Sequence, residues 1–275
     1  MLRFTLMAAL FASSFAVHAA DSALRADLER IAHERVYFGH QSVGANLLEG
    51  VKQLADGAGV PLRIIESPSA GAVAAGSIAH VFLAENGAPL RKLESFKTAL
   101  GEGARVDVAL MKFCYVDVDG ATDAKALFER YRATITELRA KNPRTTFVHV
   151  TLPLTTAQTG WKALAKRMLG RAPYGTVENL RREEYNTLLR RTYRGREPIF
   201  DLARVESTAP DGTTTRVDWN GSIAPAMVAA YTDDGGHLNA QGKLLAAREL
   251  IKVLAAATKP LQKIDDLATP VRMSR

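Results

Sequence analysis

Two nearly continuous apolar runs, Val106–Phe113 and Thr146–Leu152, constrain this chain most. A strand with one wet face alternates apolar and polar residues, whereas a run that is apolar throughout needs cover on both faces. Such strands belong to parallel sheets with helices packed on either side. Shorter runs at Arg35–Gly39, Leu62–Ser67 and Pro198–Leu202 complete a set of five strand candidates. Longer amphipathic stretches alternate with them: Ser22–Glu34, Val43–Asp56, Pro89–Ala99, Ala124–Asn142, Val177–Tyr193 and Ala240–Ala256, the last with Asn239 at its N-cap position. The pattern predicts α/β architecture: a single three-layer α/β/α sandwich with a mostly parallel sheet of about five strands. Pro68 to Gly87, Leu154 to Gly175 and Ser207 to Thr232 read as long irregular loops, of the kind that carry substrate contacts.

The first residues stand apart. Met1-Leu2-Arg3 is basic, Phe4 to Val17 is apolar, and Val17-His18-Ala19 ends on a small residue. That is the pattern of a secretory signal peptide, over residues 1–19, with an apolar part too short to span a bilayer. No cysteine lies near the cleavage site to take a lipid anchor, so export to the periplasm is the expectation for a bacterial chain. About 255 of the 275 residues remain, enough for one large core over 20–260, with 261–275 reading as a flexible polar tail. The formal charge is +7, or about +6 without Arg3. The basic residues are spread along helices, with no nucleic-acid motif among them. Cys114, the single cysteine, lies in an apolar run and reads as a buried thiol. No later run is apolar enough to cross a membrane.

Two polar clusters lie where an α/β fold presents chemistry. Gly39-His40-Gln41-Ser42 joins the first strand to the first long amphipathic helix, and open α/β sheets bind ligands at the carboxyl edge of their strands. At a helix start Ser42 is either an ordinary N-cap or a nucleophile whose oxyanion would meet backbone N–H groups. Asp234-Gly235-Gly236-His237 puts a carboxylate three residues before an imidazole, just ahead of the last helix. Alone, it is equally a surface turn. Paired with Ser42, it supplies a general base, His237, and a carboxylate, Asp234, to orient it. No histidine, cysteine or carboxylate spacing fits a metal site, and His33, His80 and His149 read as structural. No cofactor is expected.

Together these blocks resemble the SGNH (GDSL-type) hydrolases, whose nucleophilic serine follows the first strand and whose Asp-x-x-His lies near the C-terminus. Thr232 to Asn239 is similar to that closing block, and Pro198 to Ala203 to the strand before it. The resemblance runs from about Val36 to Ala256. Two departures stand out. Gln41 replaces the aspartate of Gly-Asp-Ser, and Cys114-Tyr115-Val116-Asp117 puts Val116 where the family's third block has its oxyanion asparagine. Losing one such donor costs about 3–4 kcal/mol of transition-state stabilisation. Candidate replacements are Gln41, His40, Tyr115 and Lys112 at the strand ends, with Lys112 alternatively reaching solvent. Asn86-Gly87 resembles the second block, where Gly87 would donate its N–H, and is also an ordinary turn dipeptide.

The resemblance implies an exported serine hydrolase that cleaves an ester, with an O-acylated envelope or extracellular carbohydrate as the expected substrate class. The alternative is a non-catalytic module that holds a glycan or partner in the same cleft.

Overall fold

The computed structural model describes residues 21–258. The proposed signal peptide and the proposed tail lie outside the described residues. A helix, α1, covers 21–31. Then follow β1 Arg35–His40, α2 Ser42–Gly57, β2 Arg63–Glu66, β3 Ser77–Phe82, α3 Pro89–Leu100, β4 Val108–Met111 and α4 Ala124–Lys141. The second half comprises β5 Thr146–Val150, α5 Gly160–Met168, α6 Thr176–Tyr193, β6 Ile199–Phe200, α7 Leu202–Ser207, a β7–β8 hairpin (Arg216–Trp219 and Ser222–Pro225) and α8 Ala240–Ala257.

The central sheet has six strands in the order β2-β3-β1-β4-β5-β6, every pair parallel. Alternate side chains face opposite layers. Val36 and Phe38 of β1, Val108 and Leu110 of β4, and Val148 and Val150 of β5 pack with α1, α2, α7 and α8. Tyr37, Ala109, Met111 and Phe147 point the other way, into α3, α4 and α6. Both faces are therefore dry, which is why these strands are apolar at nearly every position. The fold is a three-layer α/β/α sandwich.

β3 is the strand the sequence concealed, inside the stretch expected to be a loop from Pro68 to Gly87. It inserts between β2 and β1 in register with both, Tyr37 opposite Ala79 and Ile65 opposite Ala79. Glycine and alanine on its flanks diluted the apolar signal. The other two expected loops also contain structure: α5 within Leu154 to Gly175, and α7 and the hairpin around Ser207 to Thr232. The hairpin turns on Asn220-Gly221, both with positive φ, the residue pair that a tight two-residue turn demands.

Connections after β1 and β4 leave in opposite directions. α2 leads toward β2 at one edge, and α4 leads toward β5 and the other edge. A crevice opens at the carboxyl ends of neighbouring strands whose connections diverge in this way. Ser42 follows β1 at that point, and Tyr115 follows β4.

Candidate active site

The backbone leaves β1 in extended conformation at Gln41, which accepts from the N–H groups of Gly44 and Ala45 and so starts α2 at Ser42. The first N–H groups of a helix have no partner within it, so those of Ser42 and Val43 lie at the crevice. Gln41, not Ser42, occupies the N-cap.

At the other end of the chain, Thr232 and Leu238 form a single β-bridge that closes a short loop. Inside it, Asp234 Oδ1 accepts from the backbone N–H of Gly236 (2.9 Å) and of His237 (2.8 Å), and from the Thr232 hydroxyl at 3.2 Å. Its second oxygen, Oδ2, faces His237 Nδ1 at 2.6 Å. The N–H groups of His237 and Gly236, and then the imidazole, hold the Asp234 carboxyl well below the usual carboxylate range. An ionised Asp234 places the ring proton on Nδ1 and leaves Nε2 with a lone pair. That nitrogen lies 2.9 Å from Ser42 Oγ, across 195 positions of sequence. The arrangement is a hydroxyl, an acceptor imidazole and an orienting carboxylate in hydrogen-bonded series.

Tyr115 forms the wall behind the imidazole, edge to face at 5.6 Å between ring centroids. Gly236 lets the tyrosine approach this closely, because a Cβ at this position would lie 2.6 Å from Tyr115 Cζ and displace the ring. From beneath, buried Arg182 donates to the Tyr115 carbonyl (3.1 Å), Thr155 Oγ1 (2.9 Å) and Asn179 Oδ1 (2.7 Å), with its guanidinium 5.9 Å from the tyrosine ring. Burial raises the Tyr115 phenol above its ordinary value, so its hydroxyl is a donor at neutral pH.

The other candidates from the sequence lie close by with their donors engaged elsewhere. Gly87 donates to Asp117 Oδ1 at 2.8 Å. Gln41 donates through its amide to the Leu83 and Ala84 carbonyls. Lys112 reaches no solvent: it is fully buried and donates to the Phe113 carbonyl at 2.9 Å. The strand-end position that suggested solvent access is closed off, and the ammonium turns back onto the chain's own carbonyl. His40 is buried, with Nδ1 2.8 Å from the Gln41 carbonyl and Nε2 3.1 Å from His80 Nδ1. A carbonyl only accepts, so His40 carries its proton on Nδ1. Burial pulls its pKa down to about 3, keeping the ring neutral. Val116 is exposed, and Cys114 is a buried free thiol.

Sequence reasoning missed Asp117 and Lys92. They form an ion pair at 2.7 Å with both side chains fully buried. Asp117 also accepts from the Cys114 N–H at 2.6 Å, and Lys92 donates to Asn86 Oδ1 at 2.8 Å. One carboxylate thus ties the loop after β3, helix α3 and the turn after β4 into a unit. The signal was a lysine beside Leu93 and Phe96 on the buried stripe of α3. Arg182, on the buried face of α6, was missed for the same reason.

The site lies on an open edge, with the His237 side chain 39% and the Asp234 side chain 56% exposed. A concavity of about 600 Å³ lies elsewhere, between α6 and the hairpin, and includes Leu180, Trp219 and Ile223 but none of the residues above. Among the described residues, no cluster of three or more histidine, cysteine or carboxylate groups could hold a metal ion.

No family model matches the sequence, and no curated protein matches it. Solved structures do resemble it. A Streptococcus pneumonia protein provisionally named a platelet activating factor is 14% identical with a TM-score of 0.49, over 90% of this chain and 99% of that one. A provisionally assigned lipolytic protein of the G-D-S-L family from Desulfitobacterium hafniense is 9% identical with a TM-score of 0.46, over 79% and 98%. An acetyl xylan esterase, AlAXEase, is 14% identical with a TM-score of 0.46, over 79% and 98%. At these identities the likeness is one of fold, and the chemistry of this chain has to be argued from its own side chains.

Proposed function

We propose that this chain is an exported serine hydrolase of SGNH type that cleaves an ester. The observation that carries the reading is the continuous line from Asp234 through His237 to Ser42, at 2.6 and 2.9 Å. Both distances lie within the reach that nucleophile and base require. Ser42 Oγ attacks the acyl carbon as His237 Nε2 takes its proton, and the carbonyl oxygen becomes an oxyanion. Collapse of the tetrahedral adduct expels the alcohol, which receives that proton from His237. Water, deprotonated by the same nitrogen, then releases the acid and restores Ser42. Asp234 stabilises the transient imidazolium.

Of the candidate donors, the Ser42 N–H and the Tyr115 hydroxyl are best suited to the oxyanion, because Gly87, Gln41 and Lys112 donate elsewhere. The open edge suits an ester carried on a bulky chain, which supports an O-acylated carbohydrate over a small enclosed substrate. The basic, apolar and small-residue order of the first residues supports export.

A second reading is a binding module on the same scaffold. It is favoured by Val116 at the asparagine position and by the engagement of the Gly87 N–H with Asp117. A fluorophosphonate probe separates the two. The hydrolase reading requires labelling that Ser42→Ala abolishes, and unlabelled folded protein would favour the binding module.

A further inference from the structure

Helix α5 turns its apolar side outward. Ala163 is its one buried residue, while Trp161 is 75%, Leu164 60% and Met168 81% exposed, and the adjoining Leu169 72%. At 100° per residue, Trp161, Leu164 and Met168 share one face, and Ala163 lies opposite, against the protein. An amphipathic helix that only covered a core would have the reverse orientation.

The surroundings of that face are cationic. Lys162, Lys166, Arg167 and Arg171 lie within or just after the helix, and no Asp or Glu occurs between Glu137 and Glu178. Arg167 fastens the helix to the hairpin, donating to the Asp218 carbonyl at 3.0 Å and lying 5.7 Å from the Trp219 ring. Gln158 N–H donates to the Tyr174 carbonyl at 2.9 Å and closes the base of the excursion. Tyr174 is itself 59% exposed, adding an aromatic side chain with a polar tip beside the apolar face. The excursion borders the candidate active site, since Thr156 N–H donates to the Gly235 carbonyl at 2.9 Å.

We propose that α5 is an interfacial helix that seats the protein on an anionic phospholipid bilayer, with Trp161, Leu164, Met168 and Leu169 entering the acyl boundary and the exposed Lys162 and Arg171 meeting headgroup phosphates. Exposed apolar residues flanked by cations are what such a surface selects. A second copy of the chain fits poorly, because an isologous contact would set the same cations against each other. Seating at this point holds the Asp234–His237 loop close to the membrane plane.

The test is co-sedimentation of the full chain with equimolar phosphatidylglycerol–phosphatidylcholine vesicles and with phosphatidylcholine vesicles alone. Capture on the anionic vesicles, weakened by high salt and on the neutral ones, is the expected result. Lys162→Glu with Arg171→Glu removes two exposed cations, each worth roughly fivefold, and should weaken capture about 25-fold or more. Trp161→Ser, Leu164→Ser and Met168→Ser together should abolish it without changing the circular dichroism spectrum or thermal midpoint, because all three side chains are exposed. No capture by anionic vesicles, or capture indifferent to both variants, overturns the assignment. So does a concentration-dependent dimer that the triple serine variant dissolves. Vesicle capture does not require turnover at Ser42, so the Ser42→Ala chain should bind vesicles as well as the parent.

Discussion

Asp234→Asn tests the proposed catalytic line at its most distant member. The substitution changes one oxygen to an amide nitrogen, and the loop decides which. Oδ1 accepts from three donors, the N–H groups of Gly236 and His237 and the Thr232 hydroxyl, whereas Oδ2 meets only the His237 ring. An amide nitrogen turned toward the three donors would leave each without an acceptor, at about 1–3 kcal/mol for every group so stranded. Turned toward the ring it disturbs a single contact. The asparagine therefore keeps its oxygen in the loop and presents its NH₂ to Nδ1.

That orientation reverses the tautomer. Nδ1 must now accept, so the ring proton moves to Nε2, which points at Ser42 Oγ and can no longer take its proton. Loss of the base in this manner lowers turnover by about 10⁴-fold, or about 5 kcal/mol of transition-state stabilisation. The assay is p-nitrophenyl acetate hydrolysis, with a thermal melt of the same preparation. Turnover should collapse while the midpoint stays near that of the parent, since all three loop hydrogen bonds survive. A variant that hydrolyses the ester within about tenfold of the parent would refute the orienting role of Asp234.

Three further outcomes follow from the packing. Gly50→Ala puts a Cβ 2.8 Å from both Ala247 Cβ and the Lys243 carbonyl, so α2 and α8 must separate; a loss of about 1–3 kcal/mol by urea unfolding and up to about 10²-fold in turnover is expected. Lys92→Met strands a buried carboxylate and should cost about 3–5 kcal/mol, and a loss below about 1 kcal/mol would mean that solvent reaches the pair. Glu206, buried with Oε2 on the Leu154 N–H at 2.6 Å, has its carboxyl pushed up to about 8 by burial, from an ordinary 4.5. Between those pH values the folded chain holds a proton that the unfolded chain releases, so stability falls as pH rises, by roughly 5 kcal/mol at most; Glu206→Gln should flatten that slope in pH-resolved thermal melts.

What was legible in the sequence was whatever periodicity or local chemistry writes into short windows. β1, β4 and β5 are apolar on both faces, so continuous runs announced them, and Asn239 announced α8 by its cap. β3 was hidden because Ser77, Ala79 and His80 interrupt its run, although Tyr37 and Ile65 on the neighbouring strands leave it a slot to fill. The hairpin was in fact signed by Asn220-Gly221 and was overlooked within a loop-like composition. Ser42, Asp234 and His237 were readable as candidates because helix starts and tight turns have local signatures. The Lys92–Asp117 pair and Arg182 left only the trace of a charge on an apolar helix stripe, because a charged side chain becomes buried only through partners brought from distant segments.

The same division explains where this chain departs from the family it resembles. Ser42 stands in the first turn of α2 and His237 two residues before the cap of α8, and these helices touch closely enough at Gly50 that a single added carbon collides. Asn239 caps α8 through the N–H groups of Gln241 and Gly242 while its amide reaches the Ala230 carbonyl and Asp233, tying the acid–base loop to the helix it precedes. The proposed nucleophile and base are thus positioned by the close packing of α2 against α8. The turns after β3 and β4, by contrast, hold Gly87, whose N–H is engaged by Asp117, and Val116, which faces solvent. A substitution in those turns leaves the packing of α2 against α8 intact, whereas one in the helix pair moves Ser42 relative to His237. The line of hydroxyl, imidazole and carboxylate therefore rests on one helix pair, while the two departures, Gln41 and Val116, lie at the cap of α2 and in the turn after β4 and leave that pair in contact.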